Sequence, residues 1–141
     1  MKIILFILIP LLVFYGQTKT SDTLVVKRKA IIFFKPSPVE YELLQQKDSL
    51  AINNTINDFN HYSNLAISFL RKKGIKYYIT DKDFILVFYN NGEDSFLFER
   101  KREKDFIGVI LTDINKEPLI KSGIVTDVEL FSLMDDYYPD K

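Results

Sequence analysis

The sequence contains no cysteine, a single histidine and only five glycines among 141 residues. Without cysteine there can be no disulfide, no thiol nucleophile, no thiolate metal ligand and no attachment through a lipidated cysteine. With only one histidine besides, zinc lacks its usual ligands, so no metal site and no cofactor are expected. An excess of charge of one sign is missing as well. Nineteen basic residues balance nineteen acidic ones, and nothing in that balance recruits nucleic acid. Internal repeats, Gly/Ser linkers and low-complexity tracts are also absent, which leaves one domain held by packing alone. The material for packing is there: 47% of residues are hydrophobic, and twelve Phe and eight Tyr supply large side chains that offset the entropy of ordering.

One long apolar run exists, from Ile3 to Tyr15 behind Met1 and Lys2, and Pro10 interrupts it. At ~1.5 Å per residue it falls well short of a ~30 Å hydrocarbon core, and an interior proline kinks a helix. It reads as a secretory signal over residues 1–16, followed by one α+β domain over residues 17–141. Cleavage after Gly16 or after Thr18 would each place a small residue at the cut. The mature protein is therefore expected outside the cytoplasm, periplasmic or extracellular, with membrane contact only through this segment if it stays uncleaved. Lysine outnumbers arginine 15 to 4 and isoleucine outnumbers alanine 17 to 3, a bias that tempers any argument from Lys or Asn alone.

Leu24 to Phe34 reads as one long strand carrying Lys27-Arg28-Lys29 where it leaves the core. Ser37, Pro38 and Glu40 make a capping box with proline at the first helical position, so a helix starts there. It breaks near Gln46 to Asp48, and Asp48 or Ser49 caps a longer second segment. Along that segment Ile52, Ile56, Phe59, Ser63, Ala66 and Leu70 share one face, widened by Tyr62 and Phe69. Arg71-Lys72-Lys73 and Gly74 close it. Four β-rich stretches follow, Ile75–Thr80, Phe84–Tyr89, Phe96–Phe98 and Phe106–Thr112, joined by short links that suit an antiparallel meander, with Asn91-Gly92 as a hairpin turn. A further short strand within Leu119–Val125 is optional. Thr126 and Glu129 cap a last helix to about Tyr138, with Val128, Phe131, Met134 and Tyr138 facing inward. The fold class is thus α+β: a long helix in two segments on a mainly antiparallel sheet of about five strands, with a short C-terminal helix.

Over residues 24–112 this order is similar to cystatin-like α+β rolls, which implies a helix lying across a curved antiparallel sheet. The likeness is of architecture and carries no motif. Such folds host inhibitors, binding modules and enzymes alike. Ala30 to Phe34 running into a proline-containing helix start also resembles the first strand and helix of thioredoxin-like domains. That resemblance implies a redox pair at the helix start, where Ser37-Pro38-Val39-Glu40 stands without cysteine, and a helix after the next strand, where none is read.

No catalytic residue is nominated. His61 and Ser63 diverge by ~200° on a helix and cannot act as base and nucleophile together. Asp113, Asn115 and Glu117 alternate like the start of a calcium loop, but Pro118 stands where glycine is needed and Ile124 where a bidentate glutamate is needed, so a polar turn is expected. Asp81, Asp83, Glu93 and Asp94 are loop carboxylates from which no acid/base pair can be chosen. Two candidate contact surfaces are left. Asn53, Asn57, Asn60 and Asn64 share a helix face that is either codon bias on a solvated flank or a recognition surface of paired amides. Arg100, Lys101, Arg102 and Lys104 form a tip that either keeps a hairpin end soluble or meets an acidic partner. The expected function is a non-enzymatic macromolecule-binding domain of inhibitor or immunity type, its partner another envelope or secreted protein. A small carboxylate-dependent envelope hydrolase and a membrane-tethered domain are the alternatives.

Overall fold

A computed structural model describes residues 20–101 and 106–139. The expected signal segment, both expected cleavage positions, Arg102 and Lys104 lie outside these residues. The elements run β1 (Ser21–Val26), β2 (Lys29–Phe34), α1 (Pro38–Gln45), α2 (Ser49–Lys73), β3 (Tyr77–Thr80), β4 (Phe84–Tyr89), β5 (Ser95–Glu99), β6 (Gly108–Asp113), β7 (Lys116–Ser122) and α3 (Asp127–Tyr137). The α+β class stands, as do the two helical segments and the short C-terminal helix.

The sheet arrangement differs from the meander. Seven strands form two mixed sheets, a three-stranded one ordered β1-β4-β5 and a four-stranded one ordered β3-β2-β6-β7. The expected long strand is two strands in different sheets. The chain turns at Lys27-Arg28, where the Val26 carbonyl accepts from Asn90 and the Arg28 carbonyl from Ile114. Parallel pairing, which the short links between later strands seemed to forbid, uses other connections. α1 and α2 carry the chain from β2 to its parallel neighbour β3, and β1 lies parallel to β4. A helix of this length spans the crossover that parallel strands require. Where the thioredoxin-like resemblance implies a helix after the next strand, the hairpin β4–β5 stands instead. The antiparallel sheet implied by the cystatin-like resemblance is not what the helix covers.

Three layers result. α2 and α3 cover one face of the four-stranded sheet, with Phe59, Ala66, Ile67, Leu70, Leu130 and Met134 against Ile31, Phe33, Val109 and Leu111. The three-stranded sheet covers the other face, with Leu24, Val26, Ile85 and Val87 against Ala30, Ile32, Phe34 and Ile110. Covered on both sides, β6 is buried at every position and β2 from Ala30 onward. Such strands read as continuous apolar runs. Fully burying a side chain of this size contributes roughly 1.5–3 kcal/mol. Gly108 is where β6 passes closest to its neighbours: a Cβ there would sit 2.4 Å from both the Lys121 carbonyl oxygen and the Phe34 ring.

The helix ends follow the sequence signals. Ser37, Asp48 and Thr126 each accept a backbone N–H from the third residue beyond, and Gly74 stops α2 at φ 68°. On α3, Leu130 is buried and Val128 is 72% exposed, contrary to the inward face expected for Val128. The two lie two residues apart and so point to divergent sides of the helix. Among the described residues no helix is long and apolar enough to cross a membrane.

Candidate binding face at the start of helix α1

Lys35 to Pro38 turn the chain out of β2 into α1. Ser37 takes an extended conformation, and its hydroxyl accepts the Glu40 N–H at 3.2 Å. The other half of the expected capping box is not made. Instead of reaching back, the Glu40 carboxylate turns inward and binds the Arg100 guanidinium through two 2.7 Å hydrogen bonds, one to each oxygen. Paired forks of this kind are the stronger interaction in a buried setting.

Arg100 is therefore no part of an exposed tip, because it is only 2% exposed. Its remaining donors go to the Asp81 carbonyl at 2.9 Å and the Lys82 carbonyl at 3.1 Å, and Asp83 lies 3.9 Å away. Asp83 in turn accepts the Thr20 backbone N–H at 2.9 Å. One buried cation thus ties together the start of α1, the β3–β4 link and the end of β5. The signal for it was in the sequence as a Glu at the third helical position, but capping accounted for that residue. Lys101, the other described member of the basic run, is exposed and lies 3.1 Å from Glu99.

At the start of α1 lies a shallow depression of about 240 Å³, lined by Lys35, Ser37, Tyr41, Phe59, Asn60 and Asp81 among others. The asparagine face of α2 borders it. Asn57, Asn60 and Asn64 are exposed, with Asn60 in the lining itself. Asn53 is separate from them: its carbonyl oxygen accepts from the Tyr41 hydroxyl and, at 2.7 Å, from the Gln45 amide, which clamps α1 onto α2. The structure brings Asn60 and the α1 start together, a juxtaposition that helix periodicity alone cannot reveal.

The other candidates fall apart in space. His61 is exposed, with its ring edge-on to Tyr62, and the Ser63 hydroxyl is buried and donates to the Phe59 carbonyl at 2.6 Å. Asp81 and Asp83 lie at one end of β4, while Glu93 and Asp94 lie in the exposed turn at its other end, where Asp94 accepts from the Asn91 amide. Asp113 accepts the Asn115 N–H at 3.1 Å, making the expected polar turn between β6 and β7. Among the described residues no three His, Asp or Glu side chains stand close enough together to hold a metal ion.

A second cavity, of about 470 Å³, opens between the end of α2 and α3. Phe69, Ile75, Phe131, Met134 and Tyr138 give it apolar walls, with Lys29, Lys73 and Asp135 also in the lining. Tyr138 presents its ring there, since its hydroxyl is turned to the carbonyls of Thr112 at 2.7 Å and Ala30 at 3.1 Å. Burial, with the neighbouring Tyr137 phenol adding to it, pushes the Tyr138 pKa well above that of a free phenol. Tyr137 itself is pushed up to about 12, by burial first and then by Tyr89 and Asp113. Set beside known proteins, the chain matches no family model, no curated protein and no solved structure.

Proposed function

We propose that this chain is an exported binding module of inhibitor or immunity type, and that it meets another envelope or secreted protein with the face around the start of α1. The observation that carries this reading is the exposed row Asn57, Asn60 and Asn64, of which Asn60 lines a depression at the start of α1, a helix whose Glu40 is tied to the buried Arg100. Amide side chains donate and accept at once, so they suit a polar partner surface, and a held backbone limits the ordering cost of binding. Export rests on the order of the first sixteen residues.

The test is capture from envelope and culture-supernatant extracts of the host, comparing the natural protein with Asn57→Lys/Asn60→Lys. The variant should lose the retained partner while its thermal unfolding is unchanged; equal capture by both proteins would remove this face. Intact mass of the protein from its host should begin at Gln17 or Lys19, and a full-length species would overturn export by cleavage.

A further inference from the structure

The second cavity lies at the C-terminal end of α2, where Phe69 and Lys73 line it, and it shares no lining residue with the depression at the start of α1. Its volume falls within the range of small-molecule sites, and its make-up is that of one: mostly apolar walls with a few charged groups. Three of the wall residues, Phe69, Ile75 and Phe131, remain partly exposed. The α2–α3 seam therefore leaves apolar surface open at this point.

The charged groups give the direction. Among the described residues, neither Lys29 nor Lys73 has a carboxylate within ion-pair distance. Each ammonium is placed over an aromatic ring of the lining, Lys29 at 5.1 Å from the Tyr138 centroid and Lys73 at 5.7 Å from that of Phe69. Cations held against rings at the mouth of an apolar cavity are positioned to take an anion whose tail enters the cavity. Asp135 is exposed and also in the lining, and a carboxylate beside the two ammonium groups disfavours a dianionic head. The Tyr138 hydroxyl adds no competing charge, since it donates to main-chain carbonyls.

We infer that this cavity is a binding site for a small amphipathic carboxylate, with its apolar tail among Phe69, Ile75, Phe131 and Met134 and its head held by Lys29 and Lys73. The probe is decanoate, titrated below its micelle-forming concentration into the protein as its host produces it and followed by calorimetry. Decyltrimethylammonium and decyl maltoside serve as cationic and neutral comparators.

Saturable one-to-one binding of decanoate, at least about tenfold tighter than of the cation, is expected. Lys29→Glu/Lys73→Glu should weaken decanoate by about tenfold or more and favour the cation, with a circular-dichroism melt confirming an intact fold. Met134→Trp, which fills the cavity, should weaken all three ligands. If that variant fails to fold, the charge-reversal pair alone decides. The proposal is overturned by no saturable binding up to about 1 mM, by equal affinity for the three head groups, or by affinities indifferent to the charge reversal.

Discussion

The two sheets are built from much the same residues and are treated in opposite ways. In the four-stranded sheet, Ala30 to Phe34 are buried on both faces in succession, between helices on one side and strands on the other. In the three-stranded sheet the described residues cover only one face. Ile85, Val87 and Tyr89 point into the core, while Phe88 on the same strand is 43% exposed, with Val25 at 61% and Leu97 at 59%. What decides the fate of an apolar side chain here is its layer and not its type. Adjacent apolar side chains in β4 contribute to folding or contribute little according to strand parity.

Substitutions can break this comparison, beginning with the doubly covered layer. Phe34→Ala, at a site with no exposure, should lower unfolding free energy by about 4 kcal/mol in urea titration. Arg100→Met should cost about 3 kcal/mol by the same measurement, because the buried Glu40 carboxylate then loses both hydrogen bonds of its guanidinium partner. Adding Glu40→Leu to it should recover part of that loss, and no recovery would show that the cluster does more than neutralise itself. Gly108→Ala should cost about 2 kcal/mol, since the Lys121 main chain that a Cβ would strike yields less readily than a side chain.

Alkali probes the helical layer through Tyr137 and Tyr138. Both phenols titrate higher when folded than when unfolded, so the native state holds protons that the unfolded chain releases. Stability should therefore be intact below pH ~10 and fall as pH rises towards 12. Phenolate absorbance should show a late class of tyrosines that ionises together with loss of the circular-dichroism signal. Tyr138→Phe should remove one member of that class. The smallest effect belongs to the bare face: Leu97→Ser should change stability by less than about 0.5 kcal/mol. A larger loss would mean that this face is covered in the protein as it exists.

The contrast between layers was partly legible in the sequence. Residues 30–34 form an unbroken apolar run, the signature of a strand covered on two faces, whereas Ser21 to Val26 alternate in burial but not in residue type, so their one-sided covering could not be read from the sequence. Reading Lys27 to Lys29 as an exposed stretch of a single strand concealed the crossing from one sheet to the other. Caps and turns were readable because their chemistry is local: Asp48, Thr126, Gly74 and the Asn91-Gly92 turn behave as their residue types dictate. Pairing between Ser21 and Phe84, or between Glu40 and Arg100, was not. Each joins residues some sixty positions apart, and nothing in the local pattern of either partner specifies the other. The candidate face was half visible for the same reason, with the asparagines evident from periodicity and their neighbour at the start of α1 supplied by the tertiary fold.

The order in which strands join the two sheets bears on how the molecule comes into being. β1 enters the first sheet, β2 and β3 the second, β4 and β5 return to the first, and β6 and β7 to the second. Neither sheet can be completed from a contiguous stretch of chain. During synthesis β1 must wait for β4, and β2 must wait through the whole β4–β5 hairpin for β6. Contacts between distant segments make folding slow, and the core strand Ala30 to Phe34 stays an unpaired apolar edge until late in the process. A chain with this wiring should gain its two sheets in a single cooperative step, once the chain through residue 113 is available to pair.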